Sequence, residues 1–240
     1  MTMGHFVVKG DRCGIILRKV ETKECMKMTY KITSGQYELG TEEQQAGYKM
    51  LFGEDNIQYK FDLYFHWYNI VHELGHCVVD AQKINMSKVQ EEMFVNEFAV
   101  AYWKYIGAET QINELEDILN GIISNIDSPV PRDTSFTEYY ESIWGTEALN
   151  NVMLYGYFQL NSVLEAVKSK NDFKTILNSI DIDLNSNISM SKYEGTICAK
   201  NSYKVLDNAV ANINKLDINP IQVSIELVDN PMIQCAQQCD

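Results

Sequence analysis

Histidine is scarce in this chain, with four in 240 residues and none beyond His76. A histidine ligand or a histidine base is therefore confined to the N-terminal part of the sequence. Basic residues are also few: 20 Lys and Arg stand against 33 Asp and Glu, a formal net charge of −13. Such a charge repels nucleic-acid phosphates and anionic membrane surfaces, and no helix-turn-helix pattern or basic arm offsets it. No uninterrupted apolar run approaches the ~20 residues of a membrane span. The opening Met1-Thr-Met-Gly-His-Phe-Val-Val-Lys-Gly10 has neither the charged nor the long apolar region of a secretory signal. These absences predict a cytoplasmic protein with no nucleic-acid or membrane partner. No internal repeat is visible.

What is present is enough for a sizeable core: 45% of the residues are hydrophobic and 11% aromatic. The six cysteines, at 13, 25, 77, 198, 235 and 239, are even in number, but without an export signal they are expected to be reduced thiols. Cys235-Ala-Gln-Gln-Cys239 reads as a frayed tail and Cys77 as core packing.

The chemistry lies between Tyr64 and Gly107. His72-Glu73-Leu74-Gly75-His76 places two imidazoles at i and i+4, side by side on one helical face, where they can grip one ion. Glu73, offset by one residue, reaches past the ion and can take a proton from metal-activated water. Ile70, Val71, Leu74, Cys77 and Val78 recur at three and four, predicting an amphipathic helix from His66 to about Gln82. Before it, Asn56 to Phe65 alternates apolar and polar side chains as a half-buried strand does. After a short polar connection, Ser87-Lys88-Val89-Gln90 is a capping-box pattern that opens a second helix running toward Gly107, a C′ residue. Two antiparallel helices bring Glu92, in the first turn of the second, opposite the imidazole pair. Two nitrogens and one carboxylate oxygen hold zinc and leave its fourth position to water.

The run His72-Glu-Leu-Gly-His76-Cys-Val-Val-Asp80, followed by Glu92-Met-Phe-Val-Asn96-Glu-Phe-Ala99, resembles the gluzincin metallopeptidases over about forty residues. The Asn-x-Phe-Ala ending is most similar to the small ImmA/IrrE-type minimal zincins, and Asp80 is similar in position to a residue of thermolysin-like helices. The chain departs from the family pattern at Phe94, Val95 and Tyr102-Trp103-Lys104. The resemblance implies one zinc ion per chain, held by His72, His76 and Glu92, with Glu73 as general base and Asn96 orienting an imidazole. It also implies a zinc-dependent peptidase acting on a peptide or protein; the alternative is a zincin-fold protein that binds or regulates without turnover.

Glu91 and Glu97 rival Glu92 as third ligand. Their spacing to Asn96 favours Glu92, leaving Glu91 as a first-turn carboxylate favoured by the helix dipole and Glu97 as a solvated charge. His66 reads as a packed or helix-start histidine, with substrate contact as the rarer alternative; His5 reads as surface. Peptide hydrolysis also needs a donor for the tetrahedral oxyanion. No histidine follows His76, so the pool is Tyr139, Tyr140, Tyr155 and Tyr157, and spacing does not choose among them.

Along the rest of the chain, Phe6-Val7-Val8, Gly14 to Leu17 and Met28 to Leu39 read as short strands, and Thr41 to Leu51 as a capped helix. Further helices are expected at Thr110 to Ile126, Phe136 to Trp144, Thr146 to Ser169 and Asp172 to Ile180. Ile197 to Leu227 is ambiguous, and Gln222 to Val228 alternates as a terminal strand. The paired prolines of Asp127-Ser-Pro-Val-Pro-Arg-Asp-Thr134 mark the clearest break. The expected architecture is α+β: a zincin-like domain over 1–126, with a small mixed sheet and an active-site helix pair, then a mainly helical C-terminal subdomain over 127–240. Asp181-Ile-Asp183-Leu-Asn185 imitates the start of a calcium loop, but Ser186 and Lys192 stand where that loop requires Gly and Glu. Asn85-Met-Ser87 and Asn187-Ile-Ser189 match glycosylation acceptors, without consequence in a cytosolic chain.

Overall fold

A computed structural model describes residues 14–21, 26–33, 42–218 and 220–228. Helix α1 (Glu42–Phe52) leads to α2 (Ile57–Asp62), which passes without a break through a π-helical stretch (Leu63–Tyr68) into α3 (Asn69–Ala81). Then come α4 (Lys88–Tyr105), α5 (Glu109–Ile123), α6 (Phe136–Ile143), α7 (Val152–Lys168), α8 (Phe173–Asn178) and α9 (Ser202–Ile213). Strands β1 (Gly14–Glu21), β2 (Met26–Thr33) and β3 (Ile221–Val228) lie in the order β1-β2-β3. β1 is antiparallel to β2, from Gly14 opposite Thr33 to Glu21 opposite Met26; β3 is parallel to β2, from Met26 opposite Ile221 to Thr33 opposite Val228.

The α+β zincin-like expectation is overturned, because the molecule is mostly helical. Helices build the functional centre, and β3 meets the helical body at α9 and α3 without giving it a residue. The decisive segment is Asn56 to Phe65, expected as a strand and found helical. Its apolar side chains fit both periods, since Ile57, Phe61, Tyr64 and Tyr68 are also spaced as one helical stripe. All four are buried, while Tyr59, which the strand reading turns inward with Ile57 and Phe61, is 40% exposed. Packing of that stripe against α1, where Tyr48 meets Phe61 edge-on with ring centroids 5.3 Å apart, decides between the two periods.

Other local readings match. Ser87 caps α4 through a reciprocal box with Gln90, and Ser135 caps α6 with Glu138 in the same way. Gly107 follows α4 at φ 82, the left-handed conformation that favours glycine. The helix expected from Thr146 is a 3₁₀ turn, Glu147–Asn150, followed by α7, whose first N–H groups are taken by the Asn151 side chain. The ambiguous stretch after Ile197 holds α9. Cys77 is a buried thiol in the core, as expected, and its Sγ donates to the Glu73 carbonyl at 3.3 Å. Cys198, in contrast, is disulfide-bonded, which corrects the all-thiol reading. Phe6-Val7-Val8, His5, Thr41 and the remaining four cysteines lie outside the described residues.

The buried core is continuous from α1 to β3 and crosses the proline break: Phe98 and Tyr102 of α4 meet Phe173 of α8 edge-on, and Trp67 stacks on Trp103 at 4.0 Å. A smaller apolar cluster, Val89, Tyr140, Tyr157 and Phe158, joins α6 and α7 to the start of α4. Among the described residues no helix is long and apolar enough to cross a membrane.

Candidate metal centre

Helices α3 and α4 pack closely because Gly75 has no side chain. A Cβ there would meet Val95 Cβ at 3.0 Å and Phe98 Cδ1 at 3.2 Å, so the first turns of α4 lie directly against the HExxH face. His72, Glu73 and His76 are buried there, and the two imidazoles meet edge-on with centroids 5.1 Å apart.

Each imidazole is anchored through Nδ1. Asn96 Oδ1 accepts from His72 Nδ1 at 2.8 Å and from the Tyr68 hydroxyl at 2.9 Å, while Asn96 Nδ2 donates to the Glu92 carbonyl. An amide oxygen only accepts, so His72 carries its proton on Nδ1 and presents the Nε2 lone pair. His76 Nδ1 lies 2.7 Å from Glu91 Oε1, and Lys88 Nζ holds the other oxygen of Glu91 at 2.7 Å. Asn96 thus contacts the His72 imidazole. Glu91 lies in the first turn of α4, as its position predicts, but its carboxylate is also buried against His76. Consecutive positions on α4 diverge by about 100°, enough for Glu91 and Glu92 to reach opposite sides of one ring.

The free Nε2 atoms face Glu92. His72 Nε2 lies 3.5 Å from Glu92 Oε2 and His76 Nε2 lies 3.6 Å from Oε1, and one ligand atom from each of the three residues falls within 4.8 Å of the others. These separations are too long for good N–H···O bonds. They match the ~3.4 Å expected between two ligand atoms that each sit ~2.1 Å from a tetrahedral zinc. The His-His-Glu group can therefore hold a metal ion, and its donor set suits zinc. Glu97 does not belong to the group.

The charge of His72 agrees with a ligand cage, whereas His76 and Glu92 both favour a proton that an ion would have to displace. Burial, helped by the nearby His76, lowers His72 to about 4, so it is neutral at neutral pH and ready to coordinate. Burial also pushes His76 down, but Glu91, Glu92 and Glu73 outweigh it and the net shift is upward. The His76 hydrogen bond brings Glu91 down to about 2, against its own desolvation. Burial raises Glu92.

Around this cage the structure adds groups that the sequence pattern does not mark. Asn69 Nδ2 donates to Glu73 Oε1 at 3.4 Å. From α7, Gln159 Nε2 donates to Glu92 Oε2 at 3.3 Å and to the Tyr155 hydroxyl oxygen at 2.9 Å. Of the tyrosine pool, only Tyr155 is tied to the cage. Tyr140 donates to the Leu154 carbonyl at 2.9 Å, Tyr139 packs on Tyr140, and Tyr157 belongs to the smaller apolar cluster. His66 is packed, with Nδ1 2.6 Å from Asp62 Oδ1 and its ring against Phe61.

Comparison with family models, with curated proteins and with solved structures returned no match to this chain.

Proposed function

We propose that this chain is a zinc-dependent peptidase with gluzincin-like chemistry. The observation that carries the reading is the buried carboxylate of Glu73 beside a His-His-Glu group whose spacing suits one tetrahedral ion. His72 and His76, oriented through Nδ1 by Asn96 and Glu91, and Glu92, oriented by Gln159, are the residues that would hold zinc. Zinc, when bound, supplies a Lewis acid that polarises a carbonyl and acidifies a water molecule.

Glu73 takes the proton from the attacking water as the new C–O bond forms, and passes it to the amide nitrogen as the C–N bond breaks. Asn69 holds Glu73 Oε1 meanwhile. Gln159 occupies an acceptor site on the Tyr155 oxygen, so the phenolic hydrogen is available to the developing oxyanion. That selects Tyr155 from the four tyrosines. A binding protein that keeps the ion without turnover is the other reading; it leaves the buried carboxylate of Glu73 without a task.

The test is Glu73→Gln, screened on a peptide library with and without chelator. Zinc content should stay at wild-type level while chelator-sensitive cleavage disappears; cleavage that survives the substitution defeats Glu73 as base.

A further inference from the structure

Tyr64 is a group at the site that neither the HExxH spacing nor the scheme above uses. It sits eight positions before His72, in the π-helical stretch that feeds α3. At about 100° per residue, eight α-helical steps leave a side chain about 80° away from His72. The wider i→i+5 turn removes part of that offset and brings Tyr64, Tyr68 and His72 toward one line along the helix face. Tyr68 already uses its hydroxyl on Asn96, the partner of His72. The Tyr64 ring packs 5.9 Å from Tyr68 and 4.8 Å from Phe65, and the residue is 5% exposed. Its hydroxyl makes no hydrogen bond among the described residues and is not one of the enclosed polar atoms left without a partner, so a ligand can reach it. Burial, the Tyr155 hydroxyl and the carboxylates of Glu92 and Glu73 all hold the phenol protonated, so the hydroxyl stands within electrostatic reach of ligand, base and second phenol together.

We propose that Tyr64 is a substrate-contacting residue whose hydroxyl donates to the carbonyl oxygen of the peptide group bound at the cage, from the helix that feeds α3. The inference rests on the peptidase reading and extends it. The hydroxyl is free to bond to a ligand, and a peptide carbonyl that enters the cage takes the place of water as its acceptor. The bond strengthens as that oxygen gains charge, so Tyr64 favours the transition state over the bound substrate.

The experiment compares the zinc-loaded wild type with Tyr64→Phe, which keeps the ring and its packing. Two probes are titrated by calorimetry: a phosphinic peptide, which mimics the tetrahedral oxyanion, and acetohydroxamic acid, which reports on the ion alone. Tyr64→Phe should keep its zinc and its acetohydroxamate affinity while phosphinic-peptide affinity falls about tenfold or more. Unchanged phosphinic-peptide affinity overturns the role of Tyr64 alone. A wild type that binds acetohydroxamate but neither the phosphinic peptide nor any peptide substrate overturns the peptidase reading and this inference with it. If Tyr64→Phe disturbs the fold, 3-fluorotyrosine in place of Tyr64 keeps the hydroxyl. Its fluorine resonance should then shift with the phosphinic peptide and not with acetohydroxamate; a resonance indifferent to both overturns the inference.

Discussion

Glu91 Oε1 lies 2.7 Å from His76 Nδ1, on the side of the ring away from the cage. The next residue, Glu92, meets the same imidazole at Nε2, at 3.6 Å. Two consecutive glutamates thus meet one histidine on opposite sides: one orients it and raises its basicity, the other faces the nitrogen that would meet an ion.

Glu91→Gln should lower zinc affinity about 10–100-fold, as loss of a partner to a ligand histidine typically does. Competition with a chromophoric chelator measures it. The same variant should alter acid stability in the metal-free protein. Glu91 is held at about 2 against an ordinary 4.5, so the unfolded chain binds the proton more readily than the folded one. Stability from this group is complete above 4.5 and is lost as pH falls toward 2. Denaturant midpoints should therefore fall more steeply across that window in the wild type than in Glu91→Gln, and parallel curves would refute the pairing.

His72 offers a direct titration. Its imidazole should protonate near 4 in the metal-free protein, against an ordinary 6.5. Between these values the unfolded chain is the better proton binder, so this residue makes stability rise with pH across the interval. Following its ring resonances by NMR checks the midpoint; an ordinary value would mean that the imidazole is solvated.

Gly75→Ala should destabilise the protein by about 1–3 kcal/mol, even though alanine is the better helix former by about 1 kcal/mol. The new methyl meets Val95 and Phe98 at 3.0 and 3.2 Å, so α4 must retreat, carrying Glu92 with it. Zinc affinity should fall together with the denaturation midpoint. A variant as stable and as tight as wild type would show that the helices are not in contact at this point.

Tyr155→Phe should reduce kcat by about 100–1000-fold with zinc retained. Tyr157→Phe and Tyr139→Phe should leave turnover unchanged, and Tyr140→Phe should cost about 1 kcal/mol of stability through the lost bond to Leu154. Steady-state kinetics on a cleaved peptide, with denaturation curves alongside, separate the four. Equal effects from all of them would remove the assignment.

The legible parts of this molecule are those set within a few residues. The i, i+4 pair of His72 and His76, the offset of Glu73, the Ser87 box and the left-handed Gly107 depend only on local helix geometry, and each lies where its spacing puts it. The strand expected over Asn56 to Phe65 fails for a local reason as well: its aromatic and apolar residues satisfy periods of 2 and 3.6 at once, and contact with α1 selects the helix. Glu91 was within sight, but spacing cannot say which side of an imidazole a carboxylate on another helix will meet.

Sequence alone determined that one helix carries two imidazoles on one face and a carboxylate offset from them, because helical periodicity is a property of neighbours. Tertiary structure decided the division of labour between Glu91 and Glu92, the recruitment of Gln159 and Tyr155 from α7, and the alignment of Tyr64 through the π turn. These depend on how closely α3 and α4 approach and how each is rotated. That approach follows from the absence of a single Cβ at Gly75 and from side chains as distant in sequence as Tyr102 and Asn212 meeting in one core.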